Sequence, residues 1–190
     1  MNRPVTVLAL IVALLAAPPA GLAQETQTRR YELPNLDSFE LVVPPAWEET
    51  VDQPPGDGPP TIQLRPRAGA PFEIFITPAW ADPPEEPVPD AETLRAMVRG
   101  AAERIRDQAA EETLEIRRLQ GASGVGFYFF ATDRAPEPEE FKYMNEGVLQ
   151  VGDLTVLFTI LTNDGQEAVI EEAFAMLRSA VHRDTGLDQR

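Results

Sequence analysis

MNEGVLQVGDLTVLFTILTND, Met144 to Asp164, reads as two β-strands folded about a tight turn. The runs Phe141 to Val151 and Leu154 to Thr162 flank Gly152-Asp153, a dipeptide suited to a two-residue hairpin loop. In the second run Leu154, Val156, Phe158 and Ile160 face one way, and Thr155, Leu157, Thr159 and Leu161 the other. An antiparallel hairpin of this length needs further strands and a covering layer, so the rest of the chain is read for both.

Upstream, GVGFYFFAT (Gly124 to Thr132) is a further strand. Val125, Phe127 and Phe129 lie on one side, Tyr128 and Phe130 on the other. A strand apolar on both faces is expected in the centre of a sheet and covered twice. Gly126 leaves room for a packed aromatic ring or marks a bulge. Thr113 to Leu119 begins as an alternating strand. Downstream, a helix is predicted to open at Asp164, with Glu167 completing a capping-box-like pair. Its inward stripe is Val169, Ile170, Ala173, Phe174, Leu177 and Val181, and Arg178, His182 and Arg183 stand at its negative end. The role expected of His182 is a C-cap.

Proline divides the chain. Fourteen of its 19 prolines lie between Pro34 and Pro89, and only Pro136 and Pro138 come later. Because proline breaks ladders and helices alike, this part is expected to hold short strands joined by stiff turns. Ser38 to Val43, Thr61 to Leu64 and Phe72 to Thr77 are the strands, Gln53 to Pro60 a turn or ordered loop, and Ala81 to Pro89 neither helix nor strand. Asp90 then caps a helix, with Glu92 in its first turn. Leu94, Met97, Val98, Ala101 and Ile105 form its apolar face; Arg95, Arg99, Glu103 and Arg106 form a solvated one.

The order strands, helix, strands, helix predicts an α+β domain. Its centre is an antiparallel sheet of about six or seven strands, against which two one-faced helices bury their stripes. Val125, Phe127, Phe129, Val156, Phe158, Phe174 and Leu177 are the expected core.

Four segments carry a resemblance: FELVVPPAW (Phe39 to Trp47), GVGFYFFATD (Gly124 to Asp133), the long hairpin and AFAMLRSAV (Ala173 to Val181). Together they resemble the Mog1/PsbP-like superfamily over most of Tyr31 to Val181. The resemblance implies an α/β/α sandwich, with the sheet covered by the two main helices, and accessory binding without chemistry. Its members serve unrelated partners, one a nuclear transport GTPase and another the oxygen-evolving complex. Bacterial members are commonly exported. No ligand or catalytic motif is available to transfer.

The ends and the charge concern location. Arg3, the apolar run Val5 to Ala17 and the small residues of Gly21-Leu22-Ala23 form a secretory signal cleaved after Ala23. The thirteen-residue apolar run is short of the roughly 20 residues that cross a membrane. The expected organisation is a signal over 1–23, a polar leader over 24–30, one domain over 31–183 and a tail over 184–190. The mature chain would be periplasmic or secreted, without stable membrane insertion. It carries 15 basic against 31 acidic residues, a net charge of −16. That excess opposes nucleic-acid binding and adsorption to anionic lipid. It suits solubility, and a basic partner.

Little points to chemistry. There is no cysteine and one histidine, His182, and no phosphate-loop, dinucleotide, zinc-protease, nucleophile-elbow or EF-hand pattern. No cofactor and no metal are expected. Two acidic loops stand out: Asp82, Glu85, Glu86 and Asp90, and Asp133, Glu137, Glu139 and Glu140. They are first of all proline-stiffened, hydrated loops that block edge pairing. The alternatives are a Ca²⁺-stabilised structural protein and a carboxylate-dependent hydrolase, which would need two facing carboxyls with one proton affinity raised. Trp47 is expected to close the core. Trp80, with Asp82, Glu85 and Glu86, is the candidate surface for a protein or envelope component. The function expected is an exported, non-enzymatic accessory or binding module.

Overall fold

The computed structural model describes residues 27–34, 36–56, 58–80 and 87–183. Ten strands and two helices occur there. The strands are β1 (Gln27–Glu32), β2 (Ser38–Val43), β3 (Trp47–Asp52), β4 (Thr61–Pro66), β5 (Glu73–Ala79), β6 (Arg117–Gln120), β7 (Val125–Thr132), β8 (Tyr143–Val151), β9 (Leu154–Thr162) and β10 (Val181–Arg183). The helices are α1 (Ala91–Ile105) and α2 (Glu167–Arg178).

The β8–β9 hairpin is the spine. Val151 pairs with Leu154 across Gly152-Asp153, and Gly152 takes φ 59°, a conformation natural to glycine at the first loop position. Around it grows a seven-stranded antiparallel sheet in the order β3-β4-β5-β9-β8-β7-β6. Along β9 and β5 every second residue is fully buried: Leu154, Val156, Phe158 and Ile160, then Ile74, Ile76 and Pro78. This inner face meets α2, whose Phe174 stands edge-on to Phe158 with ring centroids 6.1 Å apart. The outer face of β7 and β8 meets α1, where Leu94, Val98 and Ala101 pack on Phe129, Ala131 and Val148. The α+β architecture is as the sequence implies, with a helix on each side of the sheet.

Four local expectations change. Ser38 to Val43 is not a strand of the main sheet. It is the middle of a second, three-stranded sheet, β1-β2-β10, which shares the inner layer with α2. Gln27 to Arg30, read as leader, form part of β1 because their backbone pairs with Leu41, Val42, Val43 and Glu40. The last helix opens at Glu167, not Asp164. Gln166 occupies the cap without a side-chain cap bond, its amide oxygen taking the Asn163 N–H at 2.7 Å instead. Val181 and His182 lie beyond that helix, in β10.

Asp90 does cap α1, accepting from the Thr93 N–H at 2.8 Å. Trp47 is buried, with its ring 5.1 Å from Phe72 and edge-on to it. Of the expected core, Phe129, Val156, Phe158, Phe174 and Leu177 are buried, while Val125 and Phe127 are only partly so. Among the described residues no helix is long and apolar enough to cross a membrane.

Candidate functional site

α1 spans β7 and β8 but does not cover the sheet beyond them. Outer-face residues of β9, β5 and β4 therefore stay partly open while their inner-face neighbours are sealed. Where the helix ends its coverage, a groove of about 300 Å³ runs between α1 and the β8–β9 ladder. Met97, Ala101 and Arg104, at helical spacings of four and three, line one wall. Glu146 and Val148 of β8 and Leu157 of β9 line the other.

Two features set this groove apart. Met97 and Leu157 are each 41% exposed, and among the described residues they are two of the three large apolar side chains that stand out in solvent, Val51 being the third. Met97 belongs to the apolar face read from the helical spacing; it overhangs because β9 lies past the edge of the helix. The second feature is Glu146. It pairs with Phe129 and Thr159 in the ladder, so it shares the outer face with them. Burial pushes its carboxyl above the usual glutamate range, and the Arg104 guanidinium only partly offsets this. Among the described residues it accepts no hydrogen bond and makes no ion pair within 4.0 Å.

A second cleft of about 220 Å³ lies just past the C-terminus of α1, lined by Ile105, Ala109, Ala131 and Tyr143 among others. Its polar neighbours satisfy one another. Tyr143 donates to Asp164 at 2.6 Å, and Lys142 Nζ reaches the same carboxylate at 2.9 and 3.1 Å. The tyrosine bond first and the lysine second hold Asp164 below the usual aspartate range. A few residues away, Glu111 clamps the end of β7 through the Thr132 N–H and hydroxyl at 2.9 and 2.7 Å. Burial raises its proton affinity, but those two bonds win and leave it low.

The residues singled out in the sequence fall elsewhere. Trp80 is half buried and packs against the larger core cluster. Asp82, Glu85 and Glu86 lie outside the described residues. In the second acidic loop Asp133 accepts from the Ala135 N–H at 2.9 Å and Glu140 from the Glu137 N–H at 3.0 Å. Among the described residues no three acidic or histidine side chains converge as a metal site would require. Glu146 is the one described carboxyl pushed upward, and its charged neighbour is a cation, unlike the carboxyl pair of a glycosidase.

His182 is not a helix C-cap. Its side chain, 3% exposed, joins the Leu36 carbonyl at 2.9 Å and packs on the hairpin turn, where a Cβ at Gly152 would lie 3.0 Å from it. Glu146 was missed in the sequence. Its one signal there is a lone acid between Met144 and Val148 on the same face of an apolar strand.

No protein-family model matches the chain, and no curated protein matches it. Among solved structures it is similar to one from Bacteroides thetaiotaomicron, 14% identical with a TM-score of 0.47 over 86% of this chain and 50% of that one. The chain therefore spans about half the length of that protein. It is also similar to the solution structure of cyanobacterial PsbP (CyanoP) from Synechocystis sp. PCC 6803, 12% identical with a TM-score of 0.46. That match covers 90% of this chain and 99% of that one. No ligand, partner or activity is carried over from either structure.

Proposed function

We propose that the mature chain is an exported, non-enzymatic binding module of the envelope that holds a partner in the groove between α1 and β9. The observation that carries this reading is the pairing of Met97 and Leu157, both exposed and both on one groove. Single apolar side chains on a surface are ordinary; two that flank a concave site mark a contact. The acidic segment after Trp80 belongs to the same proposal through its sequence alone: Asp82, Glu85 and Glu86 carry negative charge that would attract a basic partner.

The test is photo-crosslinking from position 157 in cells that make the protein, with position 51 as an equally exposed control. A discrete adduct from 157, absent from 51 and lost in Met97→Asp, is expected. Equal labelling from both positions would remove the groove from consideration. For the acidic segment, Glu85→Gln with Glu86→Gln is the informative variant, because Trp80→Ala also disturbs core packing. It should weaken the adduct and reduce its sensitivity to salt.

A further inference from the structure

Resting on that reading of the groove, we propose that its occupant is a segment of a partner protein in which a lysine or arginine stands among apolar side chains. The basic group would meet Glu146, and the apolar ones Met97 and Leu157.

The carboxylate is half-buried and, among the described residues, has no hydrogen-bond donor, although the Arg104 charge acts on it. Had Arg104 closed on it, the pair would lie within 4.0 Å and the carboxyl would be pulled down; neither is the case. An arriving ammonium or guanidinium replaces the hydration that Glu146 has lost, in a partly desolvated place where a charge-assisted bond is strong. The groove is too small for a folded element and large enough for one or two side chains. An acidic ligand is disfavoured twice, by Glu146 at the contact and by a net charge of −15 over the whole chain.

The experiment is an NMR titration of the full mature protein at pH 7.5 with three capped pentapeptides. The first is leucine-valine-lysine-valine-leucine; the others carry norleucine or glutamate at the centre. The lysine peptide should move the Met97 and Leu157 methyl signals and bind about tenfold more tightly than the norleucine peptide, a difference of about 1.4 kcal/mol. The glutamate peptide should be weaker still. Glu146→Gln should bring the lysine peptide down to the norleucine level. Arg104→Gln, by removing a competing cation, should tighten it.

If norleucine binds as well as lysine, or Glu146→Gln leaves the lysine peptide unchanged, the basic occupant is wrong while the groove stands. If none of the peptides moves either methyl signal and position 157 gives no adduct, the groove itself is wrong. A thermal melt of Glu146→Gln separates a binding effect from a folding one.

Discussion

Phe158 shows how tightly one side chain can be specified. It is 2% exposed, lies edge-on to Phe174, and its ring tip rests on Gly147, where a Cβ would come within 2.7 Å of it and 2.3 Å of the Phe127 carbonyl. Phe158→Ala should cost about 3–5 kcal/mol in denaturant unfolding. Gly147→Ala should cost about 1–3 kcal/mol or more by overpacking, since the obstruction is backbone as well as ring. The inward direction of Phe158 follows from strand alternation alone. Glu146, on the neighbouring strand, behaves in the opposite sense. Its folded-state proton affinity is raised above the ordinary value of 4.5, so the folded protein loses stability as pH climbs from there through the raised value. Glu146→Gln should therefore raise the melting temperature at pH 7.5 and leave it unchanged near pH 3.5, where both states are protonated. A variant that melts lower at pH 7.5 would mean that Arg104 stabilises the carboxylate after all.

At the scale of elements, the two helices make a useful contrast. α1 begins where Asp90 and Glu92 say it should, and the Thr93 N–H holds the Asp90 carboxyl below the usual aspartate range. That cap contributes stability above the ordinary value of 3.8 and loses it as pH falls through the depressed one. Asp90→Ala should lower the melting temperature at neutral pH, and the gap should close in acid. α2 begins later than its capping-box pattern suggests, because Tyr143 and Lys142 take Asp164, while Gln166 reaches the Ala70 and Pro71 carbonyls at 3.3 and 3.1 Å. Those partners are up to 96 residues away in the chain, beyond any local signal. β10 is hidden for a related reason. Three residues show no periodicity, and the strand exists because Phe39 and its neighbours in β2 offer an unpaired edge. Removing the buried imidazole with His182→Ala should cost about 1–3 kcal/mol, since the Leu36 carbonyl loses its partner. Unchanged unfolding would show that β10 is not docked in solution.

For the whole molecule, the proposal of export has a direct check: intact mass of protein recovered from the envelope should begin at Gln24, and retention of Met1 would overturn it. Alternation along β5, β7 and β9, proline spacing and the Asp90 cap were enough to specify an antiparallel sheet carrying two helices. These are local patterns, written by which residues must leave water and by which backbone shapes proline and glycine permit. What local pattern could not specify was how far each helix reaches across the sheet. Met97 carries the same apolar signal as Val98, yet one is exposed and the other sealed, because the difference lies in the position of β9. Nor could it single out one acid among 31. Glu146 became distinct only when β7 and β9 closed on either side of it and α1 came to rest above. Burial, and the lack of a donor among the described residues, are properties of surroundings, and those surroundings come from residues distant in the chain.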